Sequence, residues 1–522
     1  MNAAARSVPA AAEPPPLAGA QLLLLSIAIA ASTFMEILDT TIVNVSVPAI
    51  AGSLGVSPSE ATWTVSSYAL AAAIVQPLTG WLGRRFGEVR VFVTSMLLFV
   101  VTSAACGLAP NMTVLVAGRL LQGLVSGPMV ALAQALLLRN YPATRRGVAL
   151  SIWGMVVVVA PICGPVLGGW ITDNLSWPWL FYINVPIGLL AAGTSWALLR
   201  KRESQRVQVP VDVVGIVLLF VGVGALQFML DNGNDHDWFS SPMILIAAIL
   251  AVVCLVYLVA WELTDRHPII DVHLFQIRNF TVASVLTFCA FFSFMGATIL
   301  FPLWLETTVG YTATWAGLSM APFGFMMLIL MPILGRNAPR LNKRVTITIG
   351  FTIISISMLW MTRFSEHSTF WQLTMPRMLL GFGMPFFFLP LNMILMSRIS
   401  PDHFASASGL WGFLRTVAGS VSTAVSVYIW NHRMDYHHAV LVEHVNQAAP
   451  GWTALHGSLT QSGMSERTVS AIAESAIAQQ ASTLAINDTY LMYAIIIVCL
   501  IPILWLARPP FQPPAGSDSG AH

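Results

Sequence analysis

Long apolar runs separated by short polar connections dominate the chain. Fourteen can be marked, at roughly 20–45, 61–82, 89–109, 112–138, 147–172, 179–199, 211–230, 242–263, 280–306, 313–335, 345–362, 370–397, 404–431 and 486–507. Most approach or exceed the ~20 residues that a helix needs to cross the hydrocarbon core of a bilayer. The first run could be mistaken for a secretion signal, with Ala28-Ile29-Ala30 as its cleavage site. Its apolar character continues to Ile50, which predicts an uncleaved first span instead. The Ala/Pro-rich stretch 1–19 reads as a disordered tail, and 508–522 as a second tail.

Basic residues alternate with these runs. The connections after the odd-numbered runs hold Arg363, Arg433 and Arg467, against 19 arginines and lysines in the other connections and the tails. The positive-inside rule then places both termini in the cytoplasm.

Four matches recur in order along the chain. Ala61-Thr62-Trp63 returns as Ala313-Thr314-Trp315, Pro77 and Gly80 as Pro332 and Gly335, Arg119 and Gly123 as Arg377 and Gly381, and Trp153-Gly154 as Trp411-Gly412. The offsets are 252, 255, 258 and 258, so run n matches run n+8. This predicts an all-α membrane protein of two parallel six-helix bundles, 20–199 and 279–507, with two inserted helices and their linkers in 200–278. Repeated bundles around a central site are the architecture of alternating-access carriers. The stretch 432–485 is long, polar and helix-compatible, and falls on the periplasmic or extracellular side.

Composition agrees with lipid as the main solvent: 56% of residues are hydrophobic and 9% charged, against ~25% charged in a soluble domain. The net charge of +2 gives no sign of a nucleic-acid partner. Five cysteines in apolar segments fit neither a disulfide framework nor a metal site. Neither lysine, Lys201 or Lys343, follows a glycine. A phosphate-binding loop of the Gly-Lys-Ser/Thr kind is therefore excluded, and no zinc-protease or nucleophile-elbow motif is present. An ion gradient is the expected energy source, with no cofactor.

The chemistry lies in the polar residues inside apolar runs. Glu36 and Asp39 are three apart on the first run and share a helix face. An intramembrane charge costs ~2.5–3.5 kcal/mol on insertion scales, so such groups face a bundle interior or a cavity. A carboxyl withdrawn from water holds its proton more readily, which suits it to proton exchange; a purely structural acid is the competing reading for both. Arg119 in the fourth run needs a partner. Arg377 and Arg415 are intramembrane cations of the second half, and Asn44, Gln122 and Asn392 are further polar candidates for a substrate cavity.

Gly80, Arg84, Arg85, Gly87 and Arg90 form a loop that resembles the signature cytoplasmic loop of the major facilitator superfamily. Arg84 stands where that loop usually has an acid, and Glu88 is the candidate substitute. Gly154, Pro161, Gly164, Pro165, Gly168 and Gly169 resemble the antiporter motif of the drug exporters; small residues four apart let helices approach closely, and prolines kink them. Packing alone is the other reading. Leu38-Asp39-Thr40-Thr41 with Asn44 and Pro48, and Trp177-Pro178-Trp179 with Asn184 and Pro186, are similar to the EmrB/QacA branch of 14-span drug:proton antiporters. Glu36 and Arg377 depart from that branch, each standing where an amide is expected.

The resemblance implies a proton-coupled exporter of hydrophobic drugs or toxic compounds in a Gram-negative inner membrane, and no enzyme. Proton coupling would fall to Asp39, Glu36 and Arg119, and conformational switching to the loop at 80–90. It also implies a tripartite system with a periplasmic membrane-fusion adaptor (EmrA-like) and an outer-membrane channel (TolC-like). Export of one endogenous metabolite, siderophore or fatty acid is the alternative.

Overall fold

Where lipid replaces water, a spanning segment must satisfy its own backbone, and a helix does so within one segment. The computed structural model of the chain accordingly folds the apolar runs as helices, and no strand occurs among the described residues. These are 17–511 without 205, 208–209, 266–267, 445–449 and 463. Residues 1–16 of the expected tail at 1–19 and 512–522 of that at 508–522, with Arg6 and Arg266, lie outside them.

In chain order the main helices are α1 (Gly19–Leu54), α2 (Trp63–Val75), α3 (Thr79–Phe86), α4 (Glu88–Gly107), α5 (Met112–Asn140), α6 (Arg146–Asn174), α7 (Asn184–Leu199), α8 (Val213–Asn232) and α9 (Pro242–Thr264). They continue as α10 (Arg278–Trp304), α11 (Ala313–Asn337), α12 (Lys343–Met361), α13 (Phe370–Leu395), α14 (Phe404–His444), α15 (Pro450–Gln461) and α16 (Glu466–Leu504). Polar residues start several of them: Asn111 accepts from Val114 N at 3.0 Å, Asp212 from Gly215 N at 2.9 Å.

All fourteen sequence runs are helical. Eleven of the described helices are long and apolar enough to cross a membrane, or twelve with α6, whose parts Arg146–Pro161 and Val166–Asn174 meet at 48°. Pro161 lies at the break and removes a helix hydrogen bond there. The second run falls short because a 3-10 turn, Gln76–Leu78, divides it into α2 and α3. The thirteenth run, inside α14, is not among the eleven.

The stretch 432–485 differs from a loop. α14 continues through it to His444 and α16 begins at Glu466, so the two helices project beyond the apolar runs with α15 between them. Its polar residues cross-link the projection: His438 meets Glu474 at 2.7 Å, and Asp488 receives Arg433 at 2.5 Å and His437 at 2.7 Å.

The repeat shapes the seam between the halves. α6 packs on α11, and α14 packs on α3 and the 3-10 turn, which are equivalent pairs under the offset. Gly80 and Gly335 lie in these two contacts. A Cβ on Gly80 would fall 2.7 Å from Ser406 Cα, and one on Gly335 would fall 2.5 Å from Ser151 Cβ.

Candidate functional site

α1 carries Asp39 into the middle of the N-terminal bundle, where α5 supplies Arg119 and Gln122 and α7 supplies Asn184. Asp39 and Arg119 form an ion pair in which both side chains are fully buried. Asn184 Nδ2 donates to Asp39 Oδ1 at 2.8 Å, and Gln122 Nε2 to the same atom at 3.4 Å. Arg119 Nη1 donates also to Gln122 Oε1 at 2.9 Å, and Nε to the Thr64 carbonyl at 2.8 Å. Its guanidinium lies 4.2 Å from the centre of the Tyr68 ring. A buried charge pair holds only when its remaining donors and acceptors are met, and this network meets most of them.

The antiporter glycines connect that site to the seam. A Cβ on Gly164 would collide with the Thr41 side chain, and one on Gly168 would lie 2.5 Å from the Ile42 carbonyl. Both contacts are on α1, just beyond Asp39. A Cβ on Gly154 would lie 2.5 Å from Met331 Cε and 2.7 Å from Phe388 Cε1, in the other half. α6 therefore touches the acid-bearing helix with one end and the C-terminal half with the other. Pro161 and Gly169 are half-buried on the same helix; the Pro165 side chain lies outside the described residues.

At the 80–90 loop, Gly87 takes φ +95°, and a Cβ there would lie 2.5 Å from Glu203 Cδ. Glu203 accepts from the backbone of Val89 at 2.9 Å and of Arg90 at 3.1 Å, so the linker after α7 caps α4. Arg84 gives its carbonyl to Val207 N at 3.0 Å, and Arg85 lies 5.4 Å from the Trp81 ring centre. Glu88 accepts from Arg139 at 2.7 Å, and Arg139 reaches Asp402 of the other half at 3.2 Å. His403 meets Asp271 at 2.8 Å beside this bridge. Asp271 holds the His403 imidazolium above its ordinary range, and His403 holds the Asp271 carboxyl below its own.

The cavity candidates do not gather in one place. Gln122 belongs to the Asp39 cluster, and Asn44 is exposed. Asn392 accepts from Gln134 at 2.9 Å across the seam. Arg377 is buried within the C-terminal half, donating to the Ala297 carbonyl at 3.0 Å with its guanidinium 4.2 Å from the Phe301 ring centre. Arg415 lines a narrow cavity at the seam with Gln76, Gln134, Trp153, Ser408 and Trp411. Glu36 is buried one turn before Asp39. His437 and His438 pair with acids of α16, and Glu306 is exposed.

Sequence reasoning passed over Asn184 and Gln134 as site residues. Asn184 is a polar residue in an apolar run, the same signal that selects Gln122. Gln134 and Asn392 are 258 apart, the offset already read from Arg119 and Arg377, so the repeat itself pairs them.

The family model for the Major Facilitator Superfamily matches residues 29–423. The multidrug export protein EmrB of Haemophilus influenzae is 45% identical over 498 residues, covering 95% of this chain and 98% of that protein. EmrB of Escherichia coli is 43% identical, covering 97% and 99%. The fatty acid resistance protein FarB of Neisseria gonorrhoeae is 42% identical, also covering 97% and 99%. Among solved structures, the human organic anion transporter MFSD10 (TETRAN) superposes with a TM-score of 0.59 at 11% identity, covering 93% of this chain and 100% of that one. The proton:xylose symporter XylE gives 0.57 at 13%, covering 93% and 95%. The helical architecture and the near full-length relatives agree: the chain belongs to the major facilitator superfamily, in the branch that holds the EmrB proteins.

Proposed function

We propose that the chain is a proton-coupled antiporter that exports hydrophobic drugs or toxic compounds across the inner membrane. In this reading it crosses the membrane fourteen times with both termini in the cytoplasm, and needs no cofactor beyond the proton gradient. The observation that carries it is the fully buried Asp39–Arg119 pair. Protonating Asp39 would leave Arg119 as a buried cation without its carboxylate, at a cost of several kcal/mol. The protein escapes that cost by repacking α1, and α1 leans on α6 through Gly164 and Gly168. α6 meets the other half at Gly154, which gives proton binding a mechanical route to the seam. Glu36 is a second carboxyl on that route, and the 80–90 loop with Arg139 and Asp402 is the cytoplasmic latch.

Names of relatives support export as the task, since two are multidrug export proteins. FarB, named for fatty acid resistance, favours a second reading in which the cargo is a fatty acid or another single compound. Partners are a periplasmic adaptor and an outer-membrane channel of the EmrA and TolC kinds, with the projecting ends of α14 and α16 as the docking platform.

The test is Asp39→Asn. The variant should insert in the membrane, while proton-driven efflux from proteoliposomes is abolished. Full drug resistance in cells that carry only this variant would refute the assignment.

A further inference from the structure

A second hollow lies between α14 and α16, and none of its residues belongs to the Asp39 cluster. It is a groove of about 440 Å³. Ile429 on α14 and Leu491, Met492, Ile495 and Ile496 on α16 form its walls, and Arg433 and Asp488 stand at one end. Asp488 and Ile496 are eight residues apart, so the groove runs ~12 Å along the helices. Only these two helices line it. It therefore opens sideways, toward the acyl chains that surround a spanning helix.

Its depth follows from its neighbours. Tyr428 precedes Ile429, and its ring meets that of Trp238 edge-on with centres 5.8 Å apart. His432 stacks on the same tyrosine at 5.9 Å. Tyrosine and tryptophan settle at the level of lipid headgroups. Arg433 and Asp488, at the root of the projecting helices, share that level. The five apolar residues reach from there into the hydrocarbon.

The charged end is only partly used. Arg433 Nε reaches Asp488 Oδ2 at 2.7 Å, Arg433 Nη2 reaches it at 2.5 Å, and His437 Nε2 meets it at 2.7 Å. Three nitrogens crowd one carboxylate oxygen. Among the described residues nothing bonds to Asp488 Oδ1 or to Arg433 Nη1. The mouth thus offers a negative acceptor beside a positive donor, above an apolar slot. A purely anionic headgroup would be repelled by Asp488, and a purely cationic one by Arg433. A headgroup with both signs makes a charge-assisted hydrogen bond to each.

We propose that the groove binds one aminophospholipid from the leaflet on that side of the membrane. Its ammonium donates to Asp488 Oδ1, its phosphate accepts from Arg433 Nη1, and one acyl chain lies along Ile429, Met492 and Ile495. A choline headgroup has no N–H to give and loses half of this grip; a glycerol headgroup brings no cation to Asp488. The bound lipid braces α14 against α16 where the projection leaves the membrane. It is a resident of the site and not a cargo, so the site stands whichever compound the chain exports.

Native mass spectrometry of the full chain tests this. The purified protein is titrated with dioleoyl phosphatidylethanolamine, phosphatidylcholine and phosphatidylglycerol. The ethanolamine lipid should bind at least about threefold tighter than either of the others. Ile495→Trp, which fills the slot, should weaken it by at least about threefold, whereas Val498→Trp, on the same helix but outside the groove, should leave it unchanged. Asp488→Asn should bring the ethanolamine-to-choline ratio toward one. Equal binding of the three lipids, preference for phosphatidylglycerol, or the same affinity in Ile495→Trp as in the parent would overturn the proposal. Should Asp488→Asn fail to fold, the lipid ranking of the parent chain and the two tryptophan variants decide alone. Binding of N-phenylnaphthylamine that Ile495→Trp removes, with lipid binding intact, would make the groove a cargo site and refute the lipid assignment.

Discussion

A single atom decides what position 164 tolerates. Gly164 faces the Thr41 side chain so closely that even a methyl group collides. Gly164→Leu should therefore separate α1 from α6 and lose efflux while expression and membrane insertion stay normal. Overpacking of this kind typically costs 1–3 kcal/mol, a load that a large membrane protein survives. Transport and expression measured on the same preparation check it, and wild-type efflux would remove the coupling role assigned to this contact. Asp39 poses the reverse problem. Its carboxylate receives Arg119, Asn184 and Gln122, so its replacement leaves donors unmet rather than space overfilled.

At the scale of elements, the 262–278 linker is tied to the start of α14 by the His403–Asp271 contact. His403 is held above its ordinary pKa of about 6.5, so the tie is at full strength below that value and is lost as pH climbs through the raised one. Asp271 is held below its ordinary value, so the tie also fails in strong acid, once pH falls through the depressed one. Thermal stability of His403→Gln relative to the parent chain should be lowest near pH 6 and converge with it as pH rises through the raised His403 value. A gap that is constant with pH would show that the contact contributes no titratable stability. The projecting helices are the second test. Replacing 440–480 with a short Gly/Ser linker should preserve proton-coupled flux in proteoliposomes and lose resistance in cells. Retained resistance would remove the docking role proposed for this projection.

The same elements show what a sequence makes legible. Every apolar run became a helix because lipid leaves the backbone few alternatives, and the run pattern is that constraint written out. The extension of α14 to His444 and the early start of α16 at Glu466 were harder to read. Hydropathy marks where a helix leaves lipid, whereas a helix ends where its capping and propensity change. Asp39 and Arg119 stood out as charges in apolar surroundings, but their mutual pairing did not, since it depends on how α1 and α5 cross. Asn44 shares a helix with Asp39 yet is exposed, because a shared helix does not imply a shared face.

For the whole molecule, the seam is the place to measure coupling between halves. Gln134 and Asn392 bond across it at 2.9 Å. Gln134→Ala and Asn392→Ala should each lower thermal stability, and the double variant should lose less than the sum, with an interaction of roughly 0.5–3 kcal/mol. Strict additivity in that cycle would show that the bond carries nothing.

That hydrogen bond joins a residue to its own counterpart, and so does the Trp153–Trp411 contact, with ring centres 5.6 Å apart. Contacts of this sort define an isologous interface, the kind two identical subunits make about a dyad. In such a dimer one residue must serve both sides, and every substitution strikes twice. A single polypeptide that contains both copies is free of that rule. Glutamine can answer asparagine at the dyad, and one half can oppose its arginine with an aspartate while the other rests the matching arginine on a phenylalanine ring. The division of labour between the halves is thus a freedom that only a fused duplication possesses.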